Sequence, residues 1–136
     1  MTTARRAIPG AAALALSLSL VRCGGGTDLR QARQDLVSWS GTLAIAAEQW
    51  GRGLDPTPFT RTVSSAARDA LKETARDLAQ PSSQGDAAAA ELQGAARRIE
   101  AGRQALDAAI ARRDGPAAVR LAGELEALRR QLRTEP

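Results

Sequence analysis

Residues 28–51 read DLRQARQDLVSWSGTLAIAAEQWG, and the spacing of their apolar side chains decides the fold. Successive apolar positions are separated alternately by three and four residues; they are Leu29, Ala32, Leu36, Trp39, Leu43, Ala46 and Trp50. Such spacing places these side chains on one face of an α-helix and is typical of helices that pack along a continuous seam. The stretch therefore predicts a first amphipathic helix, which ends at the glycines Gly51 and Gly53.

Three further segments carry apolar patterns of the same helical kind. The second helix is expected to begin with Thr57 as its cap and Pro58 in its first turn, and to run to about Gln80, where Pro81 stops it. The third follows the cap-like sequence at 83–86, and the fourth follows the break at 114–116, where glycine is expected to end one helix and proline to start the next. The expected inward positions are Phe59, Val63, Ala67, Ala70, Leu71, Thr74 and Leu78 in the second helix, Leu92, Ala95, Ile99, Gly102, Leu106 and Ala109 in the third, and Ala118, Leu121, Leu125, Leu128 and Leu132 in the fourth.

The connections between these segments are short, so consecutive helices are expected to run antiparallel. No run of alternating Val, Ile or Tyr predicts a strand. The predicted fold is therefore all-α: a small antiparallel up-down bundle of about four helices, over residues 28–134.

The first 22 residues have the composition of an export signal. Arg5 and Arg6 supply a positive start, and the 14 residues Ile8–Val21 that follow carry no charge. A membrane-spanning helix needs about 20 apolar residues, more than this run offers. We therefore predict a signal peptide over 1–22 and a glycine-rich tether over 23–27, and we expect the protein to be exported.

The end of this leader resembles the lipobox of bacterial lipoproteins. Leu20 and Val21 stand three and two residues before Cys23, the single cysteine of the chain, and three glycines follow it. Arg22 departs from the pattern, since that family has Gly, Ala or Ser immediately before the cysteine. The resemblance implies that Cys23 is lipidated and anchors the protein to a membrane; Gly24 after it, in place of the Asp of inner-membrane lipoproteins, makes the outer membrane a plausible destination.

Two alternatives to lipidation remain open at this sequence. Ordinary signal-peptide cleavage near Cys23 would release a soluble exported protein, and an uncut leader would serve as an N-terminal anchor.

The composition excludes several kinds of chemistry. The chain has no histidine, and its one cysteine lies outside the predicted bundle. The usual general base, zinc ligand and thiol nucleophile are therefore missing from the domain. The acidic stripe Asp69, Glu73 and Asp77 alternates with basic residues in a way that is typical of a solvated, salt-bridged helix face. We expect neither an enzyme nor a bound metal or cofactor.

The net charge of +4 invites a nucleic-acid interpretation that the distribution of the charges weakens. Three of the 19 basic residues, Arg5, Arg6 and Arg22, lie in the leader, which leaves 16 basic residues against 15 acidic ones. A nearly neutral domain has little electrostatic attraction to phosphate backbones. We expect no nucleic-acid partner.

Two groups of side chains are candidate binding residues. The aromatic group is Trp39, Trp50 and Phe59, which are expected in the core and could line a site for a small apolar ligand or a partner. The basic group comes from matching the apolar seams of the third and fourth helices, which brings together Arg97, Arg98, Arg129, Arg130 and Arg133 as a possible patch for an anionic partner.

The same register suggests local ion pairs around that patch. It places Glu100 opposite Arg130, and Arg103 beside Glu124 and Glu126.

The pattern as a whole favours an exported, lipid-anchored bundle of the cell envelope, in the periplasm or at the cell surface, with a non-catalytic structural or protein-binding role. The membrane and an envelope protein would be its partners. The alternative is a soluble periplasmic or secreted bundle that binds a small apolar ligand or forms a coiled-coil-like homo-oligomer.

Overall fold

The computed structural model describes residues 28–135, which form four α-helices and no strand. A single 3-10 turn at Pro81–Ser83 precedes the third helix. The helices, labelled α1 to α4 in chain order, are Leu29–Gly51, Thr57–Leu78, Ala87–Arg112 and Gly115–Thr134. The all-α prediction, with four packed helices, is confirmed.

Aspartate side chains begin three of the four helices. The Asp28 carboxylate accepts hydrogen bonds from the backbone N–H groups of Arg30 and Gln31, at 3.0 and 3.2 Å. Asp86 and Asp114 act in the same way at the starts of α3 and α4. Each carboxylate pairs N–H groups that have no partner inside the helix and lies at the positive end of the helix dipole.

The start of α2 differs from the prediction that Thr57 is its cap. Pro56 occupies the cap position without a side-chain hydrogen bond, and Thr57 is the first residue of the helix. The Thr57 hydroxyl oxygen instead accepts a hydrogen bond of 2.9 Å from Nε1 of Trp50, near the end of α1. The threonine therefore ties α1 to α2 across their connection.

Glycines allow α1 and α4 to approach closely at one end of the bundle. A Cβ atom on Gly115 would lie 2.6 Å from the carbonyl oxygen of Gly51, a distance that real contacts do not reach. The expectation that Gly115 ends a helix is wrong, because Arg113 adopts the left-handed conformation there, with φ of 56°, and Gly115 is the first residue of α4.

The core is built from leucine, isoleucine and alanine side chains of all four helices. The seam predicted for α1 is confirmed, with Ala32, Leu36, Leu43 and Ala46 buried, and with Leu29, Trp39 and Trp50 half-buried against them. The largest fully buried apolar side chains are Leu36, Leu43, Leu78, Leu92, Ile99 and Leu106.

The first half of α2 presents a different face from the one predicted. Phe59, expected in the core, is 55% exposed, and Val63 is half-buried. The buried positions are Thr60 and Ser64, which continue backwards the helical stripe of Ala67 and the buried residues that follow it. The stripe with Ser64 faces inward because polar side chains of α3 form hydrogen bonds with Ser64, as described below.

α3 and α4 pack in the antiparallel register that their seams predict. Arg98 Nη1 donates to Oε1 of Gln131 at 3.3 Å. A Cβ atom on Gly102 would lie 2.8 Å from Cδ2 of Leu125, so the small residue lets the two helices approach, as expected from the alternation of large and small residues.

Candidate functional site

The predicted lipidation site Cys23 and the lipobox-like residues before it lie outside the described residues, as do the predicted tether and signal peptide. The described chain begins at Asp28, five residues after Cys23.

The three aromatic residues differ in burial and do not line the groove between α2 and α3 that is described below. Trp39 and Trp50 are half-buried and pack against the core. Phe59 lies in the first turn of α2 with its ring exposed. A smaller pocket beside Arg61 and Ser64 includes none of the three either.

The five arginines of the predicted patch are spread over more than one face of the bundle. Arg97 lines a groove between α2 and α3, whereas Arg98 reaches across to α4. Arg129 pairs with Glu126 of its own helix at 3.0 Å and lies where a Cβ atom on Gly41 of α1 would touch it. The remaining two members of the patch, Arg130 and Arg133, are exposed.

The ion pairs expected around the patch are wrong, because Arg103 turns toward α2 rather than α4. Its guanidinium forms two parallel hydrogen bonds with Glu100, at 2.8 and 2.7 Å, and a third of 2.6 Å with Asp107. All three residues belong to α3, so their spacing of three and four residues brings the charges together on one face.

Ser64 of α2 joins this cluster and links the two helices. Its Oγ donates to Oδ1 of Asp107 at 2.7 Å and accepts from Nη1 of Arg103 at 3.1 Å. Arg103 is the one charged residue among residues 28–135 that is buried. The cost of removing this charge from water is offset by hydrogen bonds to two carboxylates and a hydroxyl group.

The cluster favours the ionised form of Glu100. The hydrogen bonds from Arg103 lower the pKa of Glu100, although partial burial acts in the opposite direction, and Arg68 across the groove lowers it further. Glu100 in turn raises the pKa of Arg103. A carboxylate held in the ionised form, as Glu100 is, does not serve as a proton donor near neutral pH.

Sequence reasoning could have found this cluster from the spacing Glu100, Arg103, Asp107, which is the pattern of helical ion pairs at three and four residues. The spacing does not show which face of α3 turns toward α2, because the orientation of α3 depends on how all four helices pack.

A groove of about 550 Å³ follows the outer boundary between α2 and α3, next to the Arg103 cluster. Its floor is made of apolar side chains with alanine dominant: Leu71, Ala75, Ala79, Ala96 and Ala101. Its polar lining consists of Arg68, Lys72, Gln93, Arg97, Glu100 and Gln104. The volume lies within the range of about 300 to 1,000 Å³ that is typical of small-molecule sites.

Positive charge prevails along this groove. Lys72 and Arg97 are exposed and form no ion pair with another residue of the described chain. Arg68 forms a long ion pair of 3.5 Å with its neighbour Asp69 and donates a hydrogen bond of 3.2 Å to Oγ of Ser65. The single acidic residue of the lining, Glu100, is already paired with Arg103.

Within residues 28–135, no cluster of three or more acidic side chains is arranged so that it could hold a metal ion. No helix in this part of the chain has both the length and the hydropathy that crossing a membrane requires.

The chain matches no protein-family model, no curated protein and no solved structure.

Proposed function

We propose that this protein is exported and lipid-anchored at Cys23, and that its helical bundle has a non-catalytic structural or protein-binding role in the cell envelope. The leader, the spacing of Leu20 and Val21 before the cysteine, and the three glycines after it support the proposal. The absence of histidine and the ion pair that keeps Glu100 ionised favour a role without catalysis.

One observation about the fold carries the proposal furthest. Arg33, near the start of α1, donates hydrogen bonds to the carbonyl oxygens of Leu132 and Glu135, at 3.1 and 3.2 Å. The start of α1 and the end of α4 therefore lie together. The two exposed arginines Arg130 and Arg133 occupy the last two turns of α4, at this same end.

A tether at Cys23 would hold this end of the bundle close to the membrane. The four residues between Cys23 and Asp28 allow the two Cα atoms to be at most roughly 18 Å apart when the chain is fully extended. Arginines at the surface of an anionic membrane each contribute about 1 kcal/mol of attraction. In the proposed arrangement, Arg130 and Arg133 face the lipid headgroups, and the opposite end of the bundle faces an envelope protein.

The lipid modification is tested by growing cells with a fatty acid that carries an alkyne tag. We expect the native protein to take up the tag and Cys23→Ser to take up none. Arg22→Ala, which restores a small residue before the cysteine, is expected to speed processing. Equal tagging of Cys23→Ser would contradict the proposal.

The orientation is tested by energy transfer between the protein and labelled lipid headgroups. A dye on Thr134→Cys marks the end of α4, and a dye on Ala111→Cys marks the other end of the bundle. In phosphatidylglycerol-containing vesicles we expect strong transfer from position 134 and weak transfer from position 111. Equal transfer from both would rule out the proposed orientation.

The protein-binding role is tested by crosslinking in intact cells. A photoreactive residue at Leu54, which is 67% exposed at the end away from the proposed anchor, is expected to capture an envelope protein. The matched position Arg130, at the membrane-facing end, is expected to capture lipid. Capture of a second copy of this chain at both positions would replace the proposal with a homo-oligomer.

A further inference from the structure

The two halves of the groove between α2 and α3 differ in their lining. Charged side chains line one half, and alanine side chains prevail in the other. The contacts of Ser64 with Asp107 and of Gln93 with the carbonyl oxygen of Leu78 set the antiparallel register of the two helices. In this register Lys72 and Arg97 stand within about one helical turn of each other along the groove, on opposite walls.

Beyond these two cations the groove loses its charge. From Lys72 to the end of the lining at Ala79, α2 extends roughly 10 Å, and Ala75 and Ala96 face this stretch. In the other direction, Arg68 adds a third cation about one turn away. The centre and one end of the site therefore carry three cations and the paired carboxylate of Glu100, and the other end has alanine surface beside the neutral Gln93.

From this arrangement we propose that the groove binds an anionic single-chain amphiphile, with its carboxylate or phosphate between Lys72 and Arg97 and its acyl chain over Ala75, Ala79 and Ala96. Two cations on opposite walls attract an anionic headgroup from both sides. The alanines leave room for a narrow chain and remove its methylene groups from water.

The other possible occupants fit this groove less well. A second copy of the same face would bring its own cations against Lys72 and Arg97, and the leader carries three further arginines of the same sign. An acidic helix, about 10 to 12 Å in diameter, takes up more than twice the groove volume over the roughly 16 Å from Arg68 to Ala79. A single acyl chain is narrow enough to enter.

The test uses the full chain in phosphatidylcholine nanodiscs and a dodecanoate probe that carries a photoreactive diazirine on its chain. We expect the probe to label peptides of α2 and α3 that line the groove. The same probe with an alcohol in place of the carboxylate should label them at least tenfold less. Equal labelling by both probes, or labelling confined to other helices, would overturn the proposal.

Two variants test the charged half and the apolar half separately. Lys72→Glu combined with Arg97→Glu is expected to reduce labelling at least tenfold, while the matched pair Arg112→Glu and Arg120→Glu changes the net charge equally and leaves labelling intact. Ala75→Trp should block the apolar half, whereas Ala111→Trp, at an exposed position outside the groove, should not. Circular dichroism confirms that each variant is folded.

Competition identifies the source of the anionic group. Dodecyl phosphate is expected to displace the probe, and inorganic phosphate at the same concentration is not. Displacement by inorganic phosphate would indicate a free-anion site instead, and displacement only by an acidic amphipathic peptide would indicate a helix-docking surface; either result overturns the proposal. The inference does not depend on the fate of Cys23, because labelling is measured on the purified chain.

Discussion

Arg103 links α2 to α3 through side chains that differ in exposure. Its own side chain is 8% exposed, whereas those of Glu100 and Asp107 are 32% and 45% exposed. Water therefore reaches the carboxylates but hardly reaches the guanidinium, and the loss of the arginine leaves acids that can still be hydrated.

Replacement of this arginine tests the cluster. We expect Arg103→Met to lower the free energy of unfolding by about 1 to 3 kcal/mol, because three charge-assisted hydrogen bonds and the link to Ser64 are lost. Arg103→Lys should retain only part of the lost unfolding free energy, since an ammonium group cannot form the two parallel hydrogen bonds to Glu100. The free energy of unfolding of both variants is measured by urea titration, with tryptophan fluorescence as the signal. The exposed Arg120→Met serves as control and should stay within about 0.5 kcal/mol of the native chain.

The lowered pKa of Glu100 makes part of this stability dependent on pH. Because the pKa is lower in the folded chain than its unfolded value of about 4.3, the contribution is fully present above that value. It is lost as the pH falls through the folded pKa. We expect the free energy of unfolding to decrease more steeply below about pH 4 in the native chain than in Glu100→Gln. Parallel pH profiles of the two chains would contradict this.

Two glycines of α4 make a matched pair. Gly115→Ala places a Cβ atom 2.6 Å from the Gly51 carbonyl oxygen, so α1 and α4 must separate at that end. We expect a loss of about 1 to 3 kcal/mol in the free energy of unfolding. Gly123 is exposed, and a Cβ atom there meets nothing within 4 Å. Gly123→Ala should therefore stabilise the helix by about 0.4 to 1 kcal/mol. Thermal unfolding of both variants should show shifts of opposite sign.

At the scale of the element, α2 shows how a polar partner can override an apolar pattern. Phe59 and Val63 lie on a stripe directly beside that of Thr60 and Ser64, and either stripe could continue the buried face formed by the second half of the helix. The stripe with Ser64 turns inward because Arg103 and Asp107 meet its hydroxyl group there.

A pair of truncations tests this register. Leu71→Ala removes a side chain that is 3% exposed and should cost about 2 to 5 kcal/mol of unfolding free energy. Phe59→Ala removes a larger but exposed side chain and should change the free energy of unfolding by no more than about 0.5 kcal/mol. Denaturant titration of both variants provides the comparison. A large loss of unfolding free energy in Phe59→Ala would contradict this register and would favour the buried face that the apolar pattern alone predicts.

For the whole molecule, the sequence predicts the helices better than it predicts the candidate site. The seam from Leu29 to Trp50 and the turn residues around Pro81 and Gly115 are local signals, and they suffice for four helices in an up-down order. The groove depends on which faces of α2 and α3 lie side by side. That choice depends on contacts between residues far apart in sequence, such as Ser64 and Arg103, and periodicity within one helix carries no information about it.

The predicted leader and the bundle differ in net charge. The three leader arginines account for most of the net charge, and the remaining basic residues are nearly balanced by acidic ones. Any attraction to an anionic group must therefore come from local arrangement. In the proposals above, the exposed groups that provide it are Arg130 and Arg133 at the end of α4 and Lys72 and Arg97 along the groove.

The proposed orientation of the bundle at the membrane follows from anchoring at Cys23. The most direct test is the intact mass of the protein isolated from its native membrane fraction. We expect a chain that begins at Cys23 and carries the added mass of a diacylglyceryl group. An unmodified chain that begins at Gly24, or one that retains the leader, would contradict it.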